Sequence, residues 1–196
     1  MNIRNLINID KNIKFYLKAL ALLFVISGAF GFITAQQFPF EAGMAVEQAS
    51  GDLSFLDQLS SMTIFSIIAL NNSVKAIIII LLGILWGIVP VLFILINGYV
   101  VGVVVSVVTA SAGFSTILLG TIPHGIFEIP AILLAASYGV WLGEMFTKKL
   151  KDKKIQLNVS IKYTIGKFMR IILPVLVLAA FIEAFFTKWL LDAFIL

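Results

Sequence analysis

From Ala76 to Phe127 the chain contains no Asp, Glu, Lys or Arg. As one continuous helix that stretch would measure about 78 Å, at about 1.5 Å per residue, whereas a bilayer's hydrocarbon core is about 30 Å thick. The stretch must therefore cross, turn and cross again. A β-barrel would need alternation of apolar and polar residues, and the run IIIILLGILWGIVPVLFILI does not alternate. The expected class is an all-α polytopic membrane protein. The balance of 61% hydrophobic to 12% charged residues agrees, since a soluble domain carries about a quarter charged residues.

Charge then divides the chain. Lys11, Lys14 and Lys18 sit at the start of a first span, over 17–36. An acidic stretch follows, with Glu41, Glu47, Asp52 and Asp57 and no base. Leu53, Leu56 and Leu59 recur there at helical spacing, which predicts an amphipathic or re-entrant helix over 41–70. Asn71-Asn72-Ser73 reads as its break. Further spans are expected over 74–96, 98–112, 116–146 and 168–190, with Asn97-Gly98 as a turn between the second and third. Residues 148–170 are the most basic segment. Basic flanks stay in the cytoplasm, so the N-terminus and 148–170 are expected inside and the acidic stretch outside. The net charge of +4 is placed beside membrane spans, which points to lipid and orientation rather than nucleic acid. Cysteine is absent, so thiol chemistry and disulfides are excluded.

His124, the only histidine, and Glu128 are one helical turn apart in the fourth span. Pro123 suits the first turn of a helix, and Pro130 should kink it. A carboxylate facing lipid is expensive, so Glu128 is expected to face inward. The expected partners are Asn71, Asn72 and Lys75, which would close a polar cluster at the outer ends of spans two and four. An ion, proton or metal site is the competing reading. One His and one Glu are too few ligands for a tight metal site in one chain unless a dimer doubles them, so neither metal nor cofactor is expected. No HExxH, GxSxG or paired intramembrane aspartate is present, and no enzymatic activity is expected. Ala131, Ala135, Gly139 and Gly143 form a small-residue ridge that serves either a dimer face or packing within the chain. Gly83/Gly87 and Gly98/Gly102 are shorter versions of the same signal. Glu144 and Glu183 read as interface charges, solvated and snorkelling respectively.

The order NN at 71–72, Gly83 and Gly87, NG at 97–98, PHGIFEIPAIL and then AASYGVWLGE resembles the stage II sporulation protein M family, over about residues 60–147. The resemblance implies an integral membrane scaffold or assembly subunit, since the family member of spore formers works beside peptidoglycan-degrading partners without being the hydrolase. It marks Asn71, Asn72, Asn97, Gly98, Pro123, His124, Gly125 and Glu128 as characteristic of the family, not as catalytic. The Ile- and Lys-rich composition suits an archaeal member, for which sporulation is not the task. The expected partners are the lipid bilayer and a second copy or another protein. The rival function is a small-solute or ion transporter using His124 and Glu128.

Overall fold

The computed structural model describes residues 3–51, 59–187 and 189–190. These residues are helical, with no strand among them. The elements are α1 (Ile3–Gln37), α2 (Pro39–Gly51), α3 (Ser61–Leu82), α4 (Ile88–Ala112), α5 (Phe114–Gly120), α6 (Ile122–Lys151), α7 (Leu157–Lys167) and α8 (Leu173–Phe181). Two π-helical turns, Phe168–Ile172 and Ile182–Thr187, extend α7 and α8 into one span. Among the described residues, five segments are long and apolar enough to cross a membrane: Lys11–Gln37, Ser61–Leu82, Ile88–Ala112, Ile122–Lys151 and Leu157–Thr187.

The number of spans agrees with the sequence reading, but two boundaries move. α3 runs unbroken through Asn71-Asn72-Ser73, where a break is expected from sequence. α4 likewise runs through Asn97-Gly98, where a turn is expected. The turn lies instead at Gly83–Gly87, in the middle of the expected 74–96 span. The third span is therefore a full 25-residue helix rather than a short one over 98–112. Asparagine competes for backbone bonds in water, but lipid offers no water to a freed backbone group, so the helix holds. The GILWG turn keeps its own backbone bonded: Gly87 N donates to Gly83 O at 2.7 Å and Ile88 N to Leu85 O at 3.1 Å. Gly87 sits at φ 73°, a conformation that glycine adopts freely.

Other limits shift as well. The expected 116–146 span is α5 plus α6, separated at Thr121. The last span starts at Leu157, so most of 148–170 is helical. Of the expected amphipathic helix, 41–51 belongs to α2 and 61–70 to α3, while Leu53 and Leu56 lie outside the described residues. Ser60 caps α3 by accepting a hydrogen bond from Thr63 N at 3.2 Å.

α6 is the central helix. In its most apolar window 56% of residues are buried, against 11–33% for the other four spans, and it touches α1, α3, α4, α7 and α8. Its small-residue ridge is the reason. A Cβ at Gly139 would lie 2.7 Å from Pro90 Cγ and 2.9 Å from the Ile79 carbonyl oxygen. One at Gly83 would overlap the Gly139 backbone, and one at Gly143 would overlap Gly87. Ala131 and Ala135 are buried in the same core with Ile80, Leu142, Ile172 and Leu176. The ridge is thus filled from within the chain by the α3–α4 turn, and it offers no dimer face.

α1 packs mainly on α4, again through glycine. A Cβ at Gly102 would overlap the Gly28 carbonyl, and one at Gly98 would lie 2.6 Å from the Phe24 carbonyl oxygen. Gly98 is therefore a packing glycine, not a turn glycine. Gly28 and Gly31 of α1 complete this contact, and sequence reasoning missed them; their spacing on one helix was the available signal.

Near the C-terminal end of α6, Glu144 is tied into the fold rather than solvated. Its carboxylate accepts from Tyr16 Oη at 2.8 Å and Asn12 Nδ2 at 3.3 Å, and it pairs with Lys148. Removing the acceptor leaves the phenol of Tyr16 without its partner. Glu144→Ala is expected to lower stability by about 2 kcal/mol, the scale for hydrogen bonds to a charged group. Thermal denaturation in detergent would measure it, and Tyr16→Phe should recover part of the loss.

Candidate functional site: an intramembrane polar cluster

The break at Thr121 sets the direction in which α6 starts, and Pro123 lies in its first turn. His124 and Glu128 follow on one face. Both line a cavity of about 140 Å³, together with Phe24 of α1, Ile94, Asn97 and Val101 of α4, and Thr121, Gly125 and Ile132. Asn97 Nδ2 donates to the Phe93 carbonyl at 2.8 Å within its own helix.

The cluster gains a member from the end of the last span. One ligand atom each of His124, Glu128 and Glu183 lies within 4.8 Å of the other two. Glu183 belongs to the π-helical turn Ile182–Thr187. Such a turn inserts an extra residue into a helix, re-aims the side chains around it, and recurs at functional sites. Aromatic rings hold this end of the span against α3: Phe65 meets Phe181 at 6.3 Å and Phe185 at 6.4 Å between centroids. The N-terminal half of α3 and the turns around Phe181–Phe185 are therefore locked together next to Glu183. Glu183 is thus a member of an internal cluster, which corrects the expectation of a snorkelling interface charge. It was hard to find because no motif links it to His124; the two are brought together only by the fold.

The expected asparagine partners behave differently. Asn72 is buried within α3, and Asn71 is exposed. Among the described residues no hydrogen bond joins His124 or Glu128 to 71–75. Lys75 reaches Glu128 only as a charge acting at a distance. His124 Nδ1 is buried with no hydrogen-bond partner among the described residues. Beyond Glu128, α6 packs into a largely apolar core as far as Leu142 and Gly143, and the hydroxyl of the buried Ser137 in that stretch donates to the Leu133 carbonyl of its own helix.

Comparison with known proteins follows the same lines. The family model described as stage II sporulation protein M matches residues 20–188. An uncharacterized protein of the archaeon Methanocaldococcus jannaschii is 34% identical over 122 residues, covering 60% of this chain and 68% of its own length. No solved structure matches.

Proposed function

From the premise that this chain belongs to the stage II sporulation protein M family, we propose that it is a non-enzymatic assembly subunit of the membrane, holding a partner membrane protein or a second copy of itself. The observation that carries this reading is on α3. Asn71 and Lys75 are one turn apart on the exposed side of that helix, flanked by the exposed Val74 and Ile78. Lys75 lies about 10 Å from the inner end of α3, at about 1.5 Å per residue. A lysine left to hydrocarbon at that depth costs about 2.5–3.5 kcal/mol. Part of this is offset by the attraction to Glu128. The rest is relieved if a neighbouring helix covers the stripe and supplies an acceptor to Asn71 and Lys75.

A photo-activatable residue placed at Ile78 in native membranes should give one discrete protein adduct, and Lys75→Leu should reduce its yield. Adducts to lipid alone would refute the assembly reading. The transport alternative has less support, because beyond Glu128 α6 packs into a largely apolar core, and the hydroxyl of its buried Ser137 is already bonded to the Leu133 carbonyl of the same helix. Proteoliposomes of the purified protein are expected to keep proton and potassium gradients; a leak abolished by Glu128→Gln would reverse the preference between the two.

The orientation belongs to the same proposal, with the N-terminus and the Asp152–Gln156 turn in the cytoplasm. Because the chain has no cysteine, a single introduced one reports without background. An impermeant thiol reagent on intact cells should label a cysteine at Glu41 and miss one at Lys153. The opposite pattern would invert the orientation.

A further inference from the structure

We propose that His124, Glu128 and Glu183 form a binding site for a divalent transition-metal cation such as Zn²⁺, close to the outer face of the membrane. Each residue offers one ligand atom, and the three atoms lie within 4.8 Å of one another. They come from two different helices, so a bound cation would cross-link the start of α6 to the end of the final span. A Zn²⁺ bound at about 2.1 Å from each ligand sets them about 3.4 Å apart, so the trio must close by about 1.4 Å. The long Glu side chains supply that by rotation.

The chemistry of the donors selects the cation. One imidazole with two carboxylates suits Zn²⁺, Mn²⁺ or Fe²⁺, whereas Mg²⁺ and Ca²⁺ favour all-oxygen sets. Two carboxylates this close, largely out of water, repel when both are ionised. Lys75, acting on Glu128 at a distance, offsets only part of this repulsion. A divalent cation removes the remainder.

A second observation is independent of the acidic pair. His124 Nδ1 is buried and has no hydrogen-bond partner among the described residues. A buried nitrogen left unpaired is costly, and metal ligation through Nδ1 would give it a partner and fix the tautomer of the imidazole. The third is the cavity. Its volume of about 140 Å³ adjoins His124 and Glu128, with Asn97 and Thr121 at its wall. That is room for several waters at about 30 Å³ each, enough to complete a coordination shell. Three protein ligands with one solvent-filled position is a common arrangement for zinc.

The full chain, purified in detergent and stripped with a chelator, tests the site with Zn²⁺ alone. One Zn²⁺ per chain should be taken up. Glu128→Gln and Glu183→Gln, which keep the side-chain shape, should each weaken uptake by ~100-fold or more. Glu144→Gln, remote from the site, should not change it. Because His124 is the sole histidine, the wild type provides a readout that needs no variant. Zn²⁺ should protect it from acylation by diethyl pyrocarbonate. The site is refuted if wild type takes up no Zn²⁺, if uptake survives in the Glu128→Gln/Glu183→Gln double variant, or if histidine acylation proceeds at the same rate with and without Zn²⁺.

Discussion

Gly139→Leu is expected to lower the melting temperature in detergent by about 6–12 °C, at about 2–4 °C per kcal/mol for a chain of this size. The expectation rests on the Gly139 environment. A single added carbon already comes within 2.9 Å of a carbonyl oxygen and 2.7 Å of Pro90. Neither group is the free end of a flexible side chain. To admit leucine, the α3–α4 turn must move away from α6, and with it the contacts of Gly83 and Gly143. Overpacking of this kind costs about 3 kcal/mol, the upper end of the usual range. Because the contact is within one chain, the loss should not depend on protein concentration. A variant with wild-type melting would show that the turn does not seat on α6 as described.

Gly102→Ala is the smaller substitution with the more telling sign. In an open helix position Gly→Ala stabilises by about 1 kcal/mol through helix propensity. At Gly102 the new methyl would meet the Gly28 carbonyl, with Phe32 N at 2.9 Å. Backbone faces backbone there, so the two helices must separate along their length. A net loss of about 2 kcal/mol is expected, and Gly102→Val should lose more, to the point of releasing α1 from α4. Gly166 serves as the reference, because a methyl added there would meet nothing within 4 Å: Gly166→Ala should melt at or above wild type. Equal behaviour at the two sites would mean that α1 and α4 are not in backbone contact. Melting curves and limited proteolysis of the exposed α1 would distinguish the cases.

The candidate site shows why parts of it are legible in the sequence and parts are not. His124 and Glu128 stand out because they are polar residues one turn apart in an apolar stretch, and that spacing survives in any helix. Asn97 stands out too, but as half of a turn signal. Asn-Gly marks turns in soluble proteins because water satisfies the backbone it opens; inside a bilayer the same pair stays helical and its amide lines a cavity. Glu144 looks solvated because it precedes two lysines in sequence. Its acceptor role for Tyr16 and Asn12 depends on a helix more than a hundred residues away.

What the sequence alone determined is the class and the count: an all-helical chain with five spans, because hydrophobic length and charge placement are local properties read against a fixed membrane thickness. The small-residue ridge was legible for the same reason, as a spacing on one helix. What only the tertiary structure decided is which surfaces meet. The ridge of α6 faces the Gly83–Gly87 turn and not a second chain, and Glu183 joins His124 and Glu128 across nearly sixty residues of sequence. In lipid the hydrophobic effect gives no direction to helix pairing, so the pairing is settled by close packing and by the few polar groups that need partners. Those are properties of two surfaces together, and neither surface carries them alone.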